Sequence, residues 1–294
     1  MSAEHEARGT RLAGRPVRSA WRVVGILVAI VAVGVGVLNA AAALARKTER
    51  THGVFPGTVR SVDISSSGGS IHLIGGEGSE TTVDALIGLG LGRPSHREEL
   101  EGDRLVIRSG DCGVLAGSSC SVDYTIHAPQ GVHVTAASSG GDITVSGANV
   151  DLSSSGGDVT LHGVTTEARV HSSGGNVTAH GLVGDSVDVE SSGGDVTLSF
   201  AAPPMQVVAD SRGGSVVIEV PDTPDTYRVV TYSSGGDATT RIRTDPTSSR
   251  LIHASSSGGD VSVRYARTEH ATPSKLKERE PWFRRTDRSS MELE

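Results

Sequence analysis

The sequence predicts an all-β protein wound as a β-solenoid of about eight strand–Ser-Gly-Gly–strand coils, preceded by one transmembrane α-helix. Three observations predict it. A short unit recurs as "SSGGDITVSG" (138–147), "SSSGGDVTLHG" (153–163), "SSGGNVTAHG" (172–181), "SSGGDVTLSF" (191–200) and "SSSGGDVSVRY" (255–265). Apolar residues alternate with period two on both sides of each glycine pair, the mark of half-buried strands. From the second pair onward the pairs stand 16, 18, 19, 20, 22 and 23 residues apart, a period near that of stacked coils.

The N-terminus sets the compartment. Residues 1–22 form an Arg-rich segment with Arg8, Arg11, Arg15, Arg18 and Arg22. Residues 23–45 follow without a charge; at 1.5 Å per residue they make about 35 Å of helix, enough to cross a bilayer. Arg46, Lys47 and Arg50 flank the far side. The excess of positive charge before the span places the N-terminus in the cytoplasm and the remainder outside the cell. Ala43-Leu44-Ala45 also has the form of a cleavage site, so a removed signal peptide is the alternative; the length of the apolar stretch favours a signal anchor. Residues 46–57 read as a linker.

The ectodomain covers 58–266. Its corners are the pairs Gly68-Gly69, Gly140-Gly141, Gly156-Gly157, Gly174-Gly175, Gly193-Gly194, Gly213-Gly214, Gly235-Gly236 and Gly258-Gly259. Two and four residues after each pair stand inward positions such as Val159 and Leu161, or Val196 and Leu198; six and four before it stand Val150 and Leu152, or Val187 and Val189. The residue two before the first glycine is Ser in every copy. Inward parity switches across the glycines, which means a corner rather than one long strand. Glycine supplies unusual dihedrals and room for close stacking there, and the serines hydrogen-bond inside the rod. Connectors between the last inward residue of one unit and the first of the next lengthen through 4, 6, 7, 8, 10 and 11 residues. The widening side is therefore the expected contact face.

Residues 74–133 break the rhythm and read as an elaboration between the first and second coils. They contain the strand-like "TTVDALIGL", "RLVIRS" and "SVDYTIHA", and "REELEGDR" as a solvated turn. The elaboration is placed to cap an open end of the solenoid. Cys112 and Cys120 are the two cysteines of the chain; outside the membrane a disulfide is expected between them. Residues 267–294 are polar, charged and without apolar period, and are expected to be disordered.

Charge and composition restrict function. Aromatic residues are 3% of the chain, so the core is aliphatic, and residues 51–294 carry 19 Lys/Arg against 31 Asp/Glu. An acidic exterior excludes nucleic acid as partner, because phosphate recognition needs a basic footprint. Arginine greatly outnumbers lysine, a habit of high-GC bacterial genomes. Asp142, Asp158, Asp195, Asp237 and Asp260 follow the glycines as a column, with Ser70, Asn176 and Ser215 in the other copies. Such a column offers oxygen ligands to Ca²⁺. The competing role, favoured by the Asn and Ser replacements, is acceptance of a backbone N–H at the corner. His162 and His180 take equivalent outward positions, where their rings face solvent. No nucleophile elbow, P-loop, zinc-binding helix or dinucleotide fingerprint is present, so no enzyme and no cofactor are expected.

The S-S-G-G-D-[VI]-T-[VL] unit behind one apolar segment resembles the bacterial candidate-adhesin, or toast-rack, family over roughly 58–266. That resemblance implies a β-solenoid, often membrane-anchored and without catalysis. Some members are similar to accessory proteins of envelope-stress signalling systems, which implies a second role as sensor or regulator. The family pattern is structural and carries over no functional residue. The expected function is thus a membrane-anchored, extracellular adhesin or cell-envelope scaffold, with a surface glycan or an envelope protein as partner.

Overall fold

Alternating apolar and polar residues on each side of a glycine pair make two short strands per repeat. In a computed structural model of the chain, which describes residues 24–36, 47–57, 59–89, 93–110 and 121–266, these strands stack into two facing sheets. The strands run β1 (Lys47–Phe55), β2 (Ser61–Ser66), β3 (Ile71–Gly76), β4 (Thr81–Leu89), β5 (His96–Glu101), β6 (Arg104–Ser109), β7 (Ser121–Pro129), β8 (His133–Ser138), β9 (Ile143–Ser146), β10 (Asn149–Ser154) and β11 (Val159–His162). They continue with β12 (Glu167–Ser172), β13 (Val177–Leu182), β14 (Ser186–Ser191), β15 (Val196–Phe200), β16 (Gln206–Ser211), β17 (Val216–Val220), β18 (Arg228–Ser233), β19 (Ala238–Arg241), β20 (Leu251–Ser256) and β21 (Val261–Tyr265).

Strands that precede a corner form a sheet ordered β18-β20-β16-β14-β12-β10-β8-β2-β6-β5; those that follow one form β1-β4-β7-β3-β9-β11-β13-β15-β17-β21-β19. Successive coils pair in parallel and in register, so Val150, Ala168 and Val187 form one interior row, and Ile143, Val159, Val177 and Val196 another. These side chains are fully or almost fully buried. Each such Val, Leu or Ile contributes roughly 1.5–3 kcal/mol of apolar burial. The all-β solenoid expected from the repeat is therefore the fold observed.

The stack differs from the expected linear order at both ends. Residues 104–129 of the elaboration are themselves a coil: β6 pairs in parallel with β2, Ser109 opposite Ser66, and β7 pairs in parallel with β3, Tyr124 opposite Ile71. The coil total among the described residues is thus nine, not about eight. β4, β5 and β1 then pair antiparallel to β7, β6 and β4 and close that end, as a cap should. β1 occupies most of 46–57, expected as a linker; its inward positions are Thr51, Gly53 and Phe55, too little apolar for the alternation to show. "REELEGDR" is mostly strand β5, turning at Gly102, whose φ is 67°.

At the far end the last two coils exchange places. β20 lies between β16 and β18, and β21 between β17 and β19. The two longest connectors, 221–227 and 242–250, accompany this exchange, since the first must step across two coil spacings, about 9.6 Å, and the second must return by one. Arg250 pins them: Nη1 donates to Pro203 O at 2.9 Å and Pro204 O at 3.0 Å, and Nε to Asp225 at 3.2 Å. Tyr227 is fully buried beside them, and desolvation holds its hydroxyl up at about 12. Connector length at this end is spent on crossing over.

The expected span 23–45 is helical over 24–36 (α1), while 23 and 37–45 lie outside the described residues. This stretch gives about 20 Å of helix, and among the described residues no helix is long and apolar enough to cross a membrane. Residues 1–22, the cysteine loop 111–120 with its expected disulfide, and the tail 267–294 also lie outside the described residues.

The corners explain the glycines. An added Cβ on Gly141, Gly157, Gly175, Gly194 or Gly214 would sit 1.9 to 2.4 Å from backbone of the corner stacked on it, whereas on Gly140 the nearest atom is 3.9 Å away. Close approach, rather than an unusual dihedral, is therefore what these second glycines answer; Gly69 is the one paired glycine with positive φ, 99°. Gly175→Ala should thus destabilise the rod by about 1–3 kcal/mol through overpacking, while Gly140→Ala should be close to neutral. Thermal unfolding of the two variants tests the asymmetry.

Candidate functional site

Each corner is closed by its serine. Ser138 Oγ donates to Gly141 O at 2.8 Å and accepts from Gly141 N at 3.0 Å. Ser154, Ser172 and Ser191 donate likewise to Gly157, Gly175 and Gly194. Ser211, Ser233 and Ser256 donate instead to the glycine carbonyl of a neighbouring coil, Gly194, Gly259 and Gly214. The serines are the buried polar groups the sequence places inside the rod, and they are satisfied there.

The aspartate column lies immediately outside. Asp158 N donates to Asp142 Oδ1 at 2.9 Å, Asn176 N to Asp158 Oδ1 at 2.7 Å, and Asp195 N to Asn176 Oδ1 at 2.9 Å. The series continues through Ser215 N to Asp195 Oδ1, Asp260 N to Ser215 Oγ and Asp237 N to Asp260 Oδ1. Every bond has the same polarity: the side chain of one coil receives the N–H of the next. Asn and Ser fit because both also offer an oxygen acceptor; in spatial order the column runs Asp142, Asp158, Asn176, Asp195, Ser215, Asp260, Asp237, with Asn176 and Ser215 isolating Asp195 from the other carboxylates. Among the described residues no three side chains of the metal-ligating types form a cluster. The column is a hydrogen-bond ladder on the surface of the rod.

Two more columns complete this outer face. Thr144, Thr160, Thr178 and Thr197 stand in register along β9, β11, β13 and β15, half exposed, and Ser146, His162, His180 and Ser199 stand two residues further on. The rings of His162 and His180 stack with centroids 5.9 Å apart and planes at 25°. The result is a repeating grid of carboxylate or amide, hydroxyl and imidazole, interrupted between β13 and β15 by a register shift after Ala179. Its spacing is about 4.8 Å between strands and about 6.6 Å along them. No Lys or Arg belongs to these four coils of the grid. Beyond them Arg264 pairs with Glu219 at 2.8 Å. On the opposite sheet the outward residues are mixed in charge, with pairs such as His171–Glu190 at 3.3 Å.

The grid extends past its expected limit. Asp123 Oδ1 accepts from both Ser70 N at 2.8 Å and Ser70 Oγ at 2.9 Å, so the column begins one coil earlier than the glycine pairs imply. The signal was present: Asp123-Tyr124-Thr125-Ile126 has the D-V-T-L order, and Leu105, Ile107 and Ser109 repeat the upstream half. A different cluster has no signature. Under the cap, Tyr124 O–H lies 2.9 Å from His96 Nδ1, and His96 Nε2 lies 3.0 Å from Glu98 Oε1. Tyr124 is fully buried and desolvation pushes its hydroxyl up to about 12. Burial likewise raises Glu98 above the ordinary carboxylate value of 4.5, with His96 opposing.

Comparison with known proteins follows this geometry. The family model described as Toastrack DUF4097 matches residues 118–270. No curated protein matches the chain. Among solved structures, a candidate adhesin from Bacteroides fragilis NCTC 9343 aligns at 14% identity over 73% of this chain and 97% of its own, with a TM-score of 0.47. A candidate cell adhesion protein from Clostridium sporogenes ATCC 15579 aligns at 11% identity over 75% of this chain and 100% of its own, TM-score 0.39. A candidate lipid-binding protein from Parabacteroides distasonis ATCC 8503 aligns at 10% identity over 76% and 97%, TM-score 0.40.

Two expectations test the site chemistry. Asp158→Ala removes the acceptor of Asn176 N–H and should cost about 1 kcal/mol, whereas Asp158→Asn should retain most of it, as read by thermal unfolding with and without calcium. Glu98 acts in the opposite sense to a salt-bridged carboxylate. Its neutral form is the one favoured in the fold, so its contribution is complete below its ordinary value and is lost as pH rises through the raised one. Glu98→Gln should flatten that part of the stability–pH profile measured by denaturant titration.

Proposed function

The chain belongs to the Toastrack DUF4097 family, and from that we propose that it is a non-catalytic binding or scaffold module of the bacterial cell envelope, adhesin-like, displayed outside the cell and held there by residues 23–45. The observation that carries this reading is the repeating grid on the outer face of β9, β11, β13 and β15. A rigid surface that repeats the same donors and acceptors at every coil suits an extended, repetitive ligand better than a compact one. Hydroxyl, amide, carboxylate and imidazole groups together form hydrogen bonds of both senses, which fits a polyhydroxylated chain such as wall glycan. The corner serines, which are buried and donate to glycine carbonyls, support a structural use for the repeat.

Anchoring rests on α1. Its residues carry no charge, and Ile26 and Val33 are more than 60% exposed. A continuous apolar surface of that kind calls for a lipid or protein environment. The full chain should remain in the membrane pellet through alkaline carbonate extraction; release into the supernatant contradicts the anchor.

Binding is tested with purified cell-wall sacculi and the full chain in mild detergent. The wild type should co-sediment. The double variant Thr160→Arg, Thr178→Arg, altered at half-exposed positions, should lose at least about tenfold in affinity, or roughly 1.4 kcal/mol. Sedimentation equal to wild type, or none for either protein, overturns the glycan reading.

A further inference from the structure

The two ends of the rod are finished differently. At the N-terminal end the outermost strands are β5 and β1, which run antiparallel to their neighbours and carry Arg97, Glu98, Glu99 and Glu101, and Lys47, Glu49 and Arg50. Charge on an edge strand is a standard guard against pairing with another chain. At the other end β18 pairs with β20 and β19 with β21, and among the described residues neither has a strand on its far side. Their sequences, "RVVTYS" and "ATTR", hold one charge each, no proline and no glycine. β18 thus has the composition of a segment prone to add strands.

The coil between these edges is open as well. Where other coils bury aliphatic residues or Tyr124, this one presents Thr231, Ala238 and Thr240, with Ala238 and Thr240 exposed. Val230 and Tyr232 on its outer side are 46% and 61% exposed. Asp237 is the last rung of the corner ladder, and among the described residues no following coil donates an N–H to it.

We propose that two copies of this chain associate end to end through β18 and β19, pairing each antiparallel with its own equivalent across a two-fold axis perpendicular to both sheets. Two bare edges about 10 Å apart, with an open core between them, must be covered together. A single extended peptide covers one; a second solenoid end presents two edges at the same separation. Thr231 and Thr240 meet across the core, Oγ1 to Oγ1 at 3.5 Å, and an axis through them makes an isologous interface. That register sets Val230 against Tyr232 of the second copy, Arg241 against Thr239, and Asp237 against Arg243. Like charges do not face one another.

The test is the mass of the full chain in detergent by light scattering, up to about 100 µM. A dimer is expected for the wild type. Val230→Lys combined with Thr240→Lys places charges at positions exposed in the single copy, so folding is retained while dimerisation weakens at least about tenfold. In parallel, Thr231→Cys should cross-link to its equivalent on mild oxidation, and Val183→Cys, more exposed elsewhere on the rod, should not. A monomeric wild type overturns the proposal. So does a dimer that persists in the lysine variant, which would place association in α1 instead.

Discussion

The rod depends on how closely one glycine corner lies on the next. A Cβ at Gly141 would meet the carbonyl of Gly69 at 1.9 Å, and at Gly175 that of Gly157 at 2.2 Å. That approach fixes the coil spacing at the corner, and the neighbouring interactions follow from it. With the corners in contact, the serine hydroxyl reaches a glycine carbonyl in its own coil or the adjacent one. The aspartate just outside reaches the N–H of the next coil. The interior is then a slot of constant width, which accounts for a core of Val, Ile, Leu and Ala with few aromatic residues.

Most of this architecture is legible in the residues because one coil resembles the next. Ser, Gly-Gly and the alternating Val and Leu positions each recur at the same offset, so a weak signal in one copy is reinforced in the others. What stays hidden is the stacking order. Nothing in "RLVIRSGDCGVLAGSSCSVDYTI" marks it as a coil by its glycines, because ten residues, 111–120, stand where the pair would be; Asp123 and Thr125 keep their offsets and are the clue that survives. The exchange of the last two coils is likewise concealed by their normal corners. It is betrayed by Thr231, Ala238 and Thr240 at inward positions, residues suited to an end rather than a middle, and by the two longest connectors.

The outer grid was legible as positions and not as a surface. Asp142, Asp158 and Asp195 stand out as acids, and the Asn and Ser replacements in their column favour the backbone N–H acceptance that the structure gives to one oxygen of each. The threonines between the inward residues pass as ordinary strand formers until registry sets Thr144, Thr160, Thr178 and Thr197 side by side. The His96–Tyr124–Glu98 cluster belongs to a contact across the cap, between strands 28 residues apart in the case of His96 and Tyr124, and no period in the sequence reports it.

The exchange at the C-terminal end has a consequence for how the chain is made. Synthesis delivers residues in order, so every earlier coil can settle on one that has already emerged. β18 and β19 cannot, because the strands they rest on, β20 and β21, come after them. The penultimate coil must wait for its partner strands until Tyr265 has left the ribosome, and then close over the last coil like a clasp. Completion of the rod is thereby tied to completion of the polypeptide, and an interrupted chain would carry its unpaired strand sequence where quality-control proteases can reach it.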